Sequence, residues 1–110
     1  MKLFWYSDAV TDLEKIYDYY FPLSSNYAAT LYNTILDDAE ILQTHPYIAP
    51  KEQLLEDLKE EYRSLVVAKG KYKLIYYIEN DTVLIVQIFA CQQSPDKIKN
   101  ITVIRNKNTN

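Results

Sequence analysis

"YRSLVVAKGKYKLIYYIENDTVLIVQIFA", residues 62–90, is the stretch whose reading decides the fold. Rich in β-branched and aromatic residues, it breaks into strand-like runs at 62–68, 72–79 and 83–90. The chain's one glycine, Gly70, separates the first two runs, where a tight turn needs a positive φ. Asn80-Asp81 punctuates the second pair in the same way. Loops this short force an antiparallel meander. A slip of one residue exchanges the two faces of a strand, so the register matters. Polar and apolar residues sort best if the loop at Asn80 has three residues. Lys73, Tyr77, Glu79 and Gln87 then share one face, and Leu74, Tyr76, Ile78, Leu84, Val86 and Ile88 share the other.

Working outward, "KLFWY" at 2–6 is short, aromatic and apolar, as a strand would be. Ser7 is placed to cap a helix whose stripe is Ala9, Leu13, Ile16 and Tyr20, ended by Phe21-Pro22. Ser24 or Ser25 caps a second helix with the stripe Ala28, Leu31, Ile35, Ala39 and Leu42, stopped before Pro46. Residues 47–60 read as a connector with one helical turn near 53–58. The expected fold is therefore α+β: an N-terminal strand and an antiparallel helix hairpin packed on a curled antiparallel β-meander. Residues 1–98 form the domain, and 99–110, polar and Asn-rich, form a C-terminal tail expected to fray.

Composition narrows the function classes. A chain of 110 residues with 48% hydrophobic and 25% charged residues builds one globular core. The lone cysteine, Cys91, excludes an internal disulfide, suits a reducing compartment and reads as a small buried residue. One histidine, His45, and one cysteine make no metal-ligand cluster, and a single glycine leaves no phosphate-cradling loop. No metal or cofactor is expected. Neither a membrane-length apolar run nor the apolar core of a secretory signal is present, so the expected location is cytoplasmic.

Charge is segregated. Residues 1–61 carry four lysines against twelve acids, within a chain of net charge -3. Residues 62–77 instead hold Arg63, Lys69, Lys71 and Lys73 and no acid. Such a segment suits an anionic partner, and bases on strand edges also deter aggregation. Tyr62, Tyr72, Tyr76 and Tyr77 interleave with these bases. That pattern permits stacking on single-stranded RNA, but aromatics are also good strand residues, and packing is the preferred reading.

With those elements in order, the chain resembles the RelE/ParE toxin superfamily over residues 2–98. The resemblance rests on Trp5, Ala9, Asp12-Leu13, Ile16 and Tyr19 near the start, and on Pro46 after the second helix. It also rests on "YRSLVV", "YKLIYYIENDTVLIVQIF" and "QQSPDK" along and after the meander. The resemblance implies a toxin of a type II toxin–antitoxin module, a plasmid stabilisation protein, held in check by a cognate antitoxin. RelE-type members cleave mRNA on the ribosome, whereas ParE-type members poison DNA gyrase. The RelE-type site uses bases on the meander, an arginine after the last strand and a C-terminal tyrosine.

By position, Arg63 and Lys73 match the meander bases. Gln92 stands near the expected arginine, and no tyrosine follows Tyr77. A glutamine supplies no unit charge to a transition state, and losing one such donor costs about a hundredfold to a thousandfold in rate. The expectation is therefore a ParE-like toxin, with Arg63, Lys69, Lys71, Lys73, Tyr77, Gln87, Gln92 and Gln93 contacting antitoxin or gyrase. The alternatives are a RelE-like endoribonuclease acting on ribosome-bound mRNA through Arg63, Lys73 and Gln92, or a degenerate non-toxic binding module. A homodimer stays open.

Overall fold

A computed structural model describes residues 1–107. Along the chain run β1 (Lys2–Trp5), α1 (Ser7–Tyr20), α2 (Ser25–Ala39), β2 (Arg63–Val67), β3 (Tyr72–Glu79), β4 (Thr82–Ala90) and α3 (Asp96–Lys107). Short 3₁₀ turns at Glu40–Gln43, Gln53–Leu55 and Ala68–Gly70 join them. The sheet order is β1-β4-β3-β2, antiparallel except that β1 lies parallel to β4. The fold is α+β, with the expected meander at its centre.

The expected three-residue loop at Asn80 is not formed. Glu79 pairs with Thr82 across two residues, Asn80 and Asp81, at φ 52° and 59°. Positive φ at both central positions is the turn that matches strand twist, and Asn and Asp tolerate it. A bulge then restores the expected facing further along. Ile75 pairs with Gln87 but Tyr76 with Ile85, so Val86 is the extra residue on β4. Lys73, Tyr77, Glu79 and Gln87 do share a face. Leu84 moves onto that same face, opposite Tyr77, and Val86 sits at the bulge.

Among the described residues, no strand borders β4 beyond Trp5. Its outer edge there is satisfied by side chains: Asp12 accepts from the Ile88 N–H at 3.0 Å, and Arg105 donates to the Val86 carbonyl at 2.9 Å. An unpaired strand edge buried without such partners would be costly.

One face carries Leu74, Tyr76, Val83, Ile85 and Ile88, all buried, in one core with Leu13, Leu31, Ile35 and Leu42 of the helical hairpin. Each such aliphatic side chain contributes about 1.5–3 kcal/mol when fully buried. Of the five stripe residues expected for the second helix, Ala28, Leu31, Ile35 and Ala39 are buried in α2, and Leu42 is buried in the 3₁₀ turn that follows. Of the two candidate caps, Ser24 is used: its hydroxyl accepts from the Tyr27 N–H at 3.1 Å. Ser7 is not a cap. It is the first helical residue, and buried Tyr6 precedes it with no capping side chain.

The expected tail is the largest correction. Residues 96–107 form α3, which packs on the opposite sheet face, while residues 108–110 lie outside the described residues. Ile98 and Thr102 are fully buried there. β-branched and Asn residues are indifferent helix formers, so α3 owes its existence to tertiary contacts. Cys91 differs too: it is exposed rather than buried.

Candidate partner-binding surface

Register separates the two meander bases. Arg63 lies opposite Tyr76 and Lys73 opposite Val66, and alternation along β2 sends their side chains to opposite faces. Arg63 is occupied by its own chain. Its guanidinium donates to the Ala49 carbonyl at 2.7 Å, lies 5.1 Å over the Tyr47 ring and reaches Glu61 at 3.4 Å. Lys73 sits 3.6 Å from Glu52, a buried carboxylate that also accepts from Ser64 Oγ at 2.7 Å. Gln92 lies two residues beyond the end of β4.

Two further candidates are covered. Gln87, only 1% exposed, donates through Nε2 to Thr102 Oγ1 at 2.7 Å and to the Ile98 carbonyl at 3.2 Å. Tyr77 shares a 2.7 Å hydrogen bond with the Tyr6 hydroxyl. Tyr6 also donates to Asn106, which in turn donates to the Tyr62 hydroxyl. Burial pushes the Tyr62 and Tyr77 phenols well above their ordinary value. Tyr72 and Tyr76 are buried as well, so the four strand tyrosines pack rather than present stacking faces.

The structure does bring three candidates together. Lys69, Lys71 and Gln92 line an open pocket of about 240 Å³, with Tyr20, Tyr72 and Cys91 among its other walls. Gln93 is exposed next to Gln92. Lys71 donates to the Tyr27 hydroxyl and lies 4.9 Å from that ring's centroid. The hydrogen bond to Tyr27 raises its pKa, so the ammonium stays charged at neutral pH. The Tyr72 phenol is raised, chiefly by burial, and stays a neutral donor.

The sequence reading missed Tyr20, Tyr27 and Cys91 as neighbours of these lysines. The two tyrosines read as stripe or rim residues, and nothing local links them to a turn some fifty positions onward. Among the described residues no group of His, Cys, Asp and Glu could hold a metal ion, and no helix is long and apolar enough to cross a membrane.

Comparison with known proteins places this geometry in context. Residues 3–95 match the family described as the ParE toxin of the type II toxin-antitoxin system, parDE. A chain from a structure titled "Chromosomal ParDE TA system from P. aeruginosa" superposes with a TM-score of 0.68 at 22% identity. The superposition covers 82% of this chain and 95% of that one, a likeness of fold. No curated protein sequence matches the chain.

Proposed function

The chain belongs to the ParE toxin family of type II toxin–antitoxin systems, and from that membership we propose that it arrests bacterial growth by binding DNA gyrase in the cytoplasm. A cognate antitoxin neutralises it. The family match over residues 3–95 is the observation that carries this reading.

The placement of the bases supports binding over cleavage. Strand scission by an RNA 2′-hydroxyl needs cations gathered at one phosphorane and an acid–base group within hydrogen-bond reach. Arg63 and Lys73 leave opposite faces, and Arg63 is held by backbone carbonyls. Arg63 and Lys73 therefore do not converge on one phosphate. In this reading Lys69, Lys71, Gln92 and Gln93 form the contact surface and Lys73 its margin. Arg63, Tyr77 and Gln87 are instead engaged by their own chain.

Tightly regulated induction in a bacterial host should arrest growth, and co-expression of the cognate antitoxin should restore it. The purified protein should also block supercoiling by gyrase. Normal growth under strong induction, or undisturbed supercoiling, would overturn the gyrase reading. Codon-position cuts on translated mRNA would move the protein to the ribonuclease class.

A further inference from the structure

We propose that the pocket between the β2–β3 turn and the end of β4 is an anchor site for one carboxylate side chain, an Asp or Glu of the antitoxin. The proposal rests on the toxin–antitoxin reading only for the identity of the polypeptide that brings the carboxylate.

Four observations converge on this pocket. First, its lining holds two ammonium groups and no carboxylate, on a chain whose net charge is -3. Second, Lys69 makes no ion pair or side-chain hydrogen bond among the described residues. Lys71 spends one of its three N–H donors on Tyr27, which leaves donors for a ligand.

Third, the turn that presents Lys69 is conformationally unfavourable. Ala68, Lys69 and Gly70 have φ of 52°, 54° and 89°, and only glycine takes that region freely. The fold holds the two Cβ-bearing residues there. Asp38 accepts from the Ala68 N–H at 2.8 Å, and the Lys71 N–H donates to the Ala68 carbonyl at 3.2 Å. Strain maintained by long-range contacts is a mark of positions kept for a purpose other than stability. Fourth, the walls are tied together: the Cys91 N–H donates to the Lys71 carbonyl at 3.0 Å. The backbones that carry Lys69, Lys71 and Gln92 are thus held close together before any ligand arrives.

Size and charge select the ligand. Nucleic acids gain affinity from many phosphate contacts made in series, whereas this pocket offers two cations and about 240 Å³. One carboxylate fits, its short aliphatic stem against the Tyr20 and Tyr72 rings and Ala90.

The test is a ¹H–¹⁵N titration of the full chain with N-acetyl-glutamate methylamide. N-acetyl-glutamine methylamide serves as the neutral isostere and a short oligothymidylate as a third arm. The glutamate probe should shift the Lys69, Gly70, Cys91 and Gln92 amides saturably, and the glutamine probe should not. Added salt should weaken the effect. Lys69→Gln and Lys71→Gln, both at exposed positions, should each weaken binding by up to about fivefold, the scale of an exposed ion pair. Equal shifts with both amides, or no saturable shift at these positions, would overturn the proposal. So would tighter binding of oligothymidylate at the same amides. Growth arrest by the unaltered chain is a separate readout: arrest without saturable shifts would overturn the anchor and leave the toxin reading, and saturable shifts without arrest would do the reverse.

Discussion

The sheet face under α1 and α2 is closed by apolar side chains, whereas the face under α3 combines buried Ile75, Phe89 and Ile98 with a network of hydrogen bonds. On the first, Leu74, Tyr76, Ile85 and Ile88 meet Leu13, Leu31 and Ile35, and only the Tyr76 hydroxyl needs a partner, the Pro46 carbonyl at 2.8 Å. On the second, Gln87 donates to Thr102, and Tyr77, Tyr6, Asn106 and Tyr62 form a separate chain of hydrogen bonds. At the β4 edge between the faces, Arg105 of α3 grips both oxygens of Asp12 of α1 at 2.7 and 2.9 Å. Apolar burial is non-directional and tolerates small shifts. Buried polar groups require their partners in place, and each one left unmet costs about 1–3 kcal/mol. The first face therefore rests chiefly on apolar burial, while on the second the polar partners also fix where one helix sits.

This contrast can be broken at either face. The largest effect is expected from Leu74→Ala on the hairpin side. Leu74 has no exposure, and the cavity should cost about 2–5 kcal/mol of global stability, read as a lower urea midpoint. Arg105→Ala should cost less, about 1–3 kcal/mol, because its pair with Asp12 is only partly buried. Its signature should be local: faster hydrogen exchange in α3, with the β3 and β4 amides still protected. Uniform loss of protection across sheet and helix would show that the two faces are not separable.

Alkaline titration sharpens the comparison further. Tyr62, Tyr72, Tyr76 and Tyr77 all have phenols raised above the ordinary 10.0 by burial. Below that value folded and unfolded chains are both protonated, and the stabilisation is fully present. As pH climbs from there toward the raised folded values, only the unfolded chain ionises, and stability falls. The urea midpoint should be flat from pH 7 to 9 and drop above about pH 10. A midpoint unchanged at pH 11 would contradict the burial of these hydroxyls. The smallest effect is expected from Gln87→Leu, within about 1 kcal/mol. Thr102 and the Ile98 carbonyl keep their mutual 2.8 Å bond without the amide. A loss comparable to Leu74→Ala would show that the polar face is as critical as the apolar one.

The apolar face was legible in the sequence and the polar face was not. Ala28, Leu31, Ile35, Ala39 and Leu42 repeat at helical spacing, and burial of such a stripe follows from solvent alone. Gly70 and Asn80-Asp81 marked their turns because backbone sterics restrict φ locally. By contrast, α3 carries β-branched and Asn residues that read as a tail, and its decisive partner, Asp12, lies 93 positions away. The candidate site divides along the same line. Lys69, Lys71 and Gln92 were nameable as cations and a donor near a turn, but their convergence with Tyr20 depends on how α1 crosses the sheet.

What the sequence determined by itself was the meander, the helical hairpin and the separation of charge, since each follows from local sterics or from apolar periodicity. Tertiary structure alone decided the β4 bulge, the docking of α3 and the opposite facing of Arg63 and Lys73. The reason is that hydrogen bonds and ion pairs are directional and short-ranged. Whether a carbonyl at Val86 or an N–H at Ile88 finds its partner is settled only once distant segments have been brought within 3 Å by the burial of everything else.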